Sequence, residues 1–341
     1  MPVPIQLPDS VRVFLLDAGG GASVDALIAH GLSPGQLSRL VRDGELVRLT
    51  RGSYVLPART DHPASDGDYW PRLRSDHLKE LAALLTPDAA AGLRTGALLR
   101  GLPVSAIPAR PEVIRPPHSA RLVKTRTVCT TLTDDEIDMV RGIPTTTMIR
   151  TCVDLALDLP VPESLITLDA ALARGVDRES LLRSLDRRGA VAGCRRARRA
   201  VQWADRHAES PNESRGRGTL LERGISAPVC NLTFQFQGEC FRPDAWWKGI
   251  GLGGEADGRV KYRSTSSGAD PLWEEKLRQQ WFEAELGMSV YRWTDREMRL
   301  APAGAAARWR QLARLPAVRL WTPPPGLRIY RAPRSRRRYE P

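Results

Sequence analysis

The chain has 341 residues, 42% hydrophobic and 26% charged, with a formal net charge of +12. That length predicts two or three domains, and that balance reads as globular and excludes a disordered chain. No apolar run reaches the length of a membrane span. The start, "MPVPIQLPDS", lacks the basic and apolar blocks of a signal peptide. Five scattered cysteines without a CxxC pair suit a reducing cytoplasm and argue against a zinc site.

The excess of Lys and Arg is the electrostatic footprint of a nucleic-acid binder. The alternative is arginine usage set by genomic base composition. Residues 11–57 read as three short helices and a hairpin. Ser23 caps a segment carrying Val24, Leu27 and Ile28, closed by Gly31. In "SPGQLSRLVRDG", Ser33 is an N-cap, Pro34 takes the first helical position and Gln36 completes a capping box. Leu37, Leu40 and Val41 form its buried stripe, and Gly44 ends it. "ELVRLTRGSYVLP" then gives two short strands around a turn. Helix, turn, helix and hairpin predict a winged helix-turn-helix domain. Its second helix would present Gln36, Arg39 and Arg42 to double-stranded DNA, and the hairpin would present Arg48 and Arg51. A solvated face on a protein-interaction module is the competing reading.

Residues 60–71 are polar and turn-rich and read as a linker. Residues 76–160 alternate helical and strand-like pieces: two helices in "HLKELAALLTPDAAAGLRTGALLRGLPV", a strand in "RLVKTRTVCTTL", and a strand entering a helix in "GIPTTTMIRTCVDLAL". No catalytic constellation stands out there, and His77 and His118 are isolated. Residues 162–207 read as helical, with Arg187, Arg188, Arg195, Arg196, Arg198 and Arg199 spread around much of the surface. They form either a solvated face or a cradle for a DNA backbone. The tail "RAPRSRRRYEP" reads as disordered and basic.

The last domain opens with Ser210 as N-cap, Pro211 as first helical residue and Glu213 as the matching capping-box acid. Three strand-like pieces follow, "PVCNLTFQF", "CFRPDAWW" and "GEADGRVKY", then a helix from Asp270, the strand "MSVYRW" and a helix opened by "TDRE". The order αβββαβ predicts a mixed sheet flanked by helices. Glu255, Asp257 and Lys261 share parity on the third strand, and Asp244 lies late on the second. Carboxylates brought together repel, and a divalent cation resolves the conflict. Asp244, Glu255 and Asp257 are therefore candidate Mg²⁺ ligands, with Lys261 supporting a phosphoryl transition state and Glu213 orienting water. Alternatively, Asp257-Gly258 is a turn, Glu255 and Lys261 are an exposed cross-strand pair, and Glu213 is only a cap. Gly216 and Gly218 each cost the helix of Glu213 about 1 kcal/mol, which predicts fraying.

This acidic pattern resembles the restriction-endonuclease-like superfamily with its PD-(D/E)xK motif, in its very-short-patch-repair-type branch. The likeness covers residues 205–300 and rests on Glu213, Asp244, "EADG" at 255–258, Glu275-Lys276 and "VYRWTDREM" at 290–298. Asp257 stands where the strict motif has lysine, so Lys261 or Lys276 would have to substitute. The N-terminal part resembles AbiEi-family antitoxins of type IV toxin–antitoxin systems through "GLSPGQLSRLVRDGELVRLTRGSYVLP". "GIPTTTMIRTCVDLA" also resembles their middle domain at Thr147, Arg150, Thr151, Asp154, Leu155 and Ala156. These resemblances imply DNA binding, transcriptional autoregulation and a cognate nucleotidyltransferase-like toxin. The expectation is an α+β multidomain protein: winged helix 8–58, middle α+β region 72–160, basic helical connector 161–204, endonuclease-like domain 205–318 and basic tail 319–341. It is either a Mg²⁺-dependent endonuclease attached to a regulator or a non-catalytic repressor with a degenerate nuclease fold.

Overall fold

The computed structural model describes residues 4–18, 20–50, 52–57, 79, 81, 89–117, 125–257 and 283–332. The chain divides into two units, Met1–Leu155 and Ala156–Pro341. No helix among the described residues is long and apolar enough to cross a membrane.

In the first unit, α1 (Asp9–Asp17), α2 (Val24–Ala29) and α3 (Pro34–Arg42) accompany a small sheet. That sheet holds β1 (Gly21–Ser23), β2 (Val47–Thr50) and β3 (Ser53–Val55) in the order β1-β3-β2. Local chemistry sets the helix starts. Ser23 Oγ accepts the Ala26 N–H at 3.2 Å. Ser33 Oγ accepts the Gln36 N–H at 3.3 Å, and Gln36 Oε1 accepts the Ser33 N–H at 2.8 Å. Gly31 and Gly44 adopt positive φ just beyond α2 and α3, where a side chain would strain the backbone. Val11, Leu15, Leu27, Leu37, Leu40 and Leu46 meet in one core. The predicted winged helix is therefore present, with one strand more than the hairpin.

The same unit carries a mixed sheet in the order β6-β5-β4-β8-β7. Its strands are β4 (Ala90–Ala91), β5 (Glu112–Arg115), β6 (Arg126–Cys129), β7 (Ile137–Val140) and β8 (Ile143–Thr146). It is joined by α4 (Leu93–Leu99) and α5 (Met148–Asp158), and β8 enters α5 as the sequence predicts. The threonine–arginine motif is structural. Buried Arg150 donates from Nε to Asp154 at 2.8 Å and from Nη1 to Glu136 at 2.5 Å. Thr151 Oγ1 lies 2.6 Å from Thr146 Oγ1. The first predicted helix of this region falls almost wholly outside the described residues, as do His77 and His118.

The second unit begins with α6 (Val161–Ala173), α7 (Arg178–Arg187), α8 (Cys194–Trp203) and α9 (Pro211–Glu222). Residues 161–204 are thus no detached connector: Arg217 of α9 reaches Asp169 of α6 at 2.7 and 2.9 Å, both groups buried. The basic run divides between two helices and finds local partners. Arg198 pairs with Asp186, Arg196 donates to the Leu157 carbonyl, and Arg199 stacks over the Trp203 ring.

The three predicted strand pieces become five strands in two sheets. β9 (Val229–Cys230), β12 (Ala245–Trp247), β13 (Leu252–Asp257) and β14 (Ser289–Thr294) form one sheet in the order β14-β13-β12-β9. β10 (Thr233–Phe236), β11 (Glu239–Phe241) and β15 (Arg328–Tyr330) form the other. The break falls at Asn231, whose φ of 53° turns the chain from one sheet to the other. β15 lies inside the stretch expected as tail, so residues 328–330 belong to the fold. One face of the first sheet packs on α9, α10 (Asp295–Leu300) and α11 (Pro302–Arg314), through Leu220, Trp247, Tyr291, Trp293, Met298 and Ala305. α12 (Pro316–Arg319) follows. Phe234, Trp246, Leu286 and Met288 make a second cluster.

The predicted fraying of α9 does not occur. A Cβ on Gly216 would sit 2.0 Å from Trp293 Nε1, and one on Gly218 would sit 2.8 Å from the Pro162 Cα. These glycines let α9 lie directly against the indole and α6, and packing offsets their propensity cost.

Candidate nucleic-acid interface and acidic site

The charge of the first unit is displayed by α3. Leu37 and Leu40 point into the core, whereas Gln36, Arg39 and Arg42 are exposed. Both arginines occupy the last turn, where cations also oppose the helix dipole. Gln36 commits its carboxamide oxygen to Ser33, so its visible work is capping. Arg48 is exposed on β2, and Arg51 lies outside the described residues. A helix with basic side chains opposite its buried stripe, flanked by a basic wing strand, has the layout of a DNA-gripping module.

In the second unit, α9 positions Glu213 from below the sheet. Ser210 Oγ accepts the Glu213 N–H at 3.2 Å, as expected of the cap. The Glu213 carboxylate does not close the predicted box on Ser210. Its Oε2 accepts the Glu209 N–H and Asn231 Nδ2, each at 2.8 Å. Asn231 donates again to the His207 carbonyl at 2.8 Å. The left-handed turn at Asn231 therefore also delivers the amide that fixes Glu213. Burial first, and then the charge of Asp244, push Glu213 up to about 7, against those hydrogen bonds. A cavity of about 10 Å³ lies among Glu213, Arg217, Cys230, Asp244, Trp247 and Trp293, room for roughly one water.

Asp244 precedes β12, and its Oδ2 accepts the Ala256 N–H at 2.8 Å. The pairing Ala245↔Gly254 puts Asp244 next to Glu255 across the strand boundary. A Cβ on Gly254 would meet Trp293 and Trp247. Alternation therefore turns Glu255 and Asp257 to the other face of β13. There Arg292, opposite Glu255 in register, donates to Asp257 at 3.2 Å. The structure thus sets Asp244 beside Glu213 at the cavity and beside Glu255 across the strand pair, and sets Asp257 beside Arg292. Among the described residues no three His, Cys, Asp or Glu side chains form a group able to hold a metal. Lys261, Glu275 and Lys276 lie outside the described residues. Sequence reasoning missed Asn231, Arg217 and Asp169. An asparagine interrupting an apolar strand pattern was the one available signal, since asparagine is poor in strands and tolerates left-handed turns.

Residues 14–57 match the family model described as transcriptional regulator, AbiEi antitoxin. The N-terminal region is therefore a regulator domain of the antitoxin type. The uncharacterized protein Rv2248 of Mycobacterium tuberculosis (strain ATCC 25618 / H37Rv) is 28% identical over 284 residues, spanning 80% of this chain and 94% of its own. The uncharacterized protein MT2308 of strain CDC 1551 / Oshkosh matches to the same extent. Among solved structures, the crystal structure of the RV2827C protein from Mycobacterium tuberculosis aligns at a TM-score of 0.35 and 18% identity, covering 66% of this chain and 85% of that one.

Proposed function

We propose that the protein is a DNA-binding transcriptional regulator of the antitoxin type, gripping duplex DNA through α3 and the wing and partnered by a nucleotidyltransferase-like toxin. The observation that carries this reading is the exposed pair Arg39 and Arg42 opposite buried Leu37 and Leu40, within the segment that matches the regulator family. Arg48 adds a third cation on the wing. Such contacts hold the phosphate backbone, and their strength falls with salt. The test is fluorescence anisotropy with DNA from upstream of the protein's own gene. Arg39→Ala with Arg42→Ala should weaken binding about tenfold or more and lower the salt slope by about 0.9 for each phosphate no longer neutralised. Unchanged affinity and slope would remove α3 from the interface.

A second reading keeps the C-terminal unit as a Mg²⁺-dependent endonuclease, supported by the mutual repulsion of Glu213 and Asp244. Mg²⁺ is held by one or two carboxylates and keeps its waters, so this pair fits it chemically. Bound there, the ion would supply charge neutralisation and an acidified water. Asp244 would hold it, Glu213 would hold or orient its water, and Glu255 and Asp257 would complete the acidic edge. Lys261 or Lys276 would stabilise charge on the phosphate. Plasmid nicking in Mg²⁺ that disappears in Asp244→Asn supports this reading. Nicking that survives in that variant, or none in the wild type beside tight operator binding, leaves the regulator alone.

A further inference from the structure

A cleft of about 330 Å³ opens in the second unit, lined chiefly by Arg206, His207, Glu209, Arg242 and Arg331. Three arginines and a histidine line it beside one glutamate. That carboxylate is already engaged: Arg242 donates to Glu209 through both Nη1 and Nη2. We propose that this cleft binds a phosphate group, carried by a free anion, a nucleotide or the end of a nucleic-acid strand.

The cations come from three separate chain segments, and each segment is held. The loop of Arg206 and His207 is pinned by Asp205, whose N–H reaches Asp169 at 2.7 Å and whose Oδ1 accepts the His207 N–H at 2.9 Å. Arg242 precedes β12, and its side chain is 29% exposed. Arg331 follows β15 and donates to the Cys230 carbonyl at 3.0 Å. Without β15 in the second sheet, Arg331 would not reach the cleft. Arginine forks match the geometry of phosphate oxygens, and donors fixed in advance lose less entropy on binding. The volume falls within the range of small-ligand pockets. The cleft also adjoins the acidic cavity, because Asn231 donates to both Glu213 and the His207 carbonyl. It does not rest on either reading above, since the winged helix lies in the other unit and no nuclease step is invoked.

The experiment is thermal melting of the full-length protein at constant ionic strength in inorganic phosphate and in chloride. Phosphate should raise the melting temperature above chloride, and Arg206→Gln with Arg331→Gln should abolish that increment. If the double variant melts lower in chloride, Arg206→Lys with Arg331→Lys keeps the charge and removes the forks; phosphate should then bind at least fivefold more weakly. Short single-stranded oligonucleotides identify the source. Binding at least tenfold tighter with a 5′-phosphate than with a 5′-hydroxyl makes the ligand a strand end. Equal affinity for inorganic phosphate and thymidine 5′-monophosphate makes it the free anion. Equal melting in phosphate and chloride, or an increment that survives in both double variants, overturns the proposal.

Discussion

The two units use charge in opposite ways. In the winged helix, the cations stand outside a purely apolar core: Leu37 and Leu40 are buried, while Arg39, Arg42 and Arg48 are exposed. Around α9 the charges are inside. Glu213, Arg215 and Arg217 are all buried, with Arg217 held by Asp169 and Arg215 by Asp295. Exposed arginines are cheap to hold and are at hand for a polyanion. Buried ones must be satisfied within the fold, so their removal should unfold the protein before it alters binding. That difference makes Arg39 and Arg42 the arginines to test for recognition and Arg217 the one to test for architecture, although all are arginines in a basic chain.

The largest expected effect tests this assignment directly. Burial opposes the charge of Arg217, but Asp169 outweighs it and raises the guanidinium above its usual range. Arg217→Ala would strand the Asp169 carboxylate with the Asp205 N–H at 2.7 Å as a remaining donor. Breaking one partner from such a pair costs about 3–5 kcal/mol, measurable by urea unfolding. Arg217→Met with Asp169→Asn should recover a large part, because no lone charge is then buried. If Arg217→Ala unfolds no more easily than Arg39→Ala, the contrast between the units collapses.

Next comes the pH dependence of the acidic cavity. Glu213 ionises near 7 in the folded protein, against an ordinary 4.5. Between those values the folded state binds more protons than the unfolded state. The stability contributed by the protonated Glu213 carboxyl is therefore fully present below about pH 4.5, is lost as pH rises through about 7 and then levels, about 3 kcal/mol in all. Glu213→Gln still offers an oxygen to Glu209 and Asn231 but carries no charge beside Asp244. Its unfolding free energy should lack that slope and exceed the wild type's at pH 7.5. Identical profiles would mean that the Glu213 carboxyl is not held against Asp244.

What the sequence disclosed follows the range of the interactions. Caps at Ser23, Ser33, Ser210 and Thr294 each involve a donor three residues ahead, and all four were readable. So was the passage from β8 into α5, where strand and helix periodicities meet. Arg217 and Asp169 are separated by 48 residues, and no local pattern couples them. Glycines 216 and 218 read as weak points because only the fold reveals Trp293 and Pro162 against them. β15 pairs with β10 across a long stretch of chain, so its three residues looked like tail. The acids were readable as a group, but not their further partners: the turn at Asn231 delivers the amide that holds Glu213 beside Asp244, and Arg292 of β14 reaches Asp257.

The smallest effect sharpens the comparison most. Ser33→Ala removes the acceptor for the Gln36 N–H and frees the reciprocal bond from Gln36 to slacken. The loss of such a cap costs about 1 kcal/mol, and α3 should fray at its first turn, seen as faster amide exchange there. Ser33→Asp retains a capping oxygen and places a negative charge at the positive end of the helix, so stability should match the wild type within a few tenths of a kcal/mol. If α3 faces DNA, however, that same carboxylate confronts phosphate, and binding should weaken while folding does not. A substitution neutral for stability and harmful for binding is what an exposed recognition surface permits. The buried Arg217–Asp169 pair of α9 and α6 does not allow that separation, because removing either partner acts on the fold first.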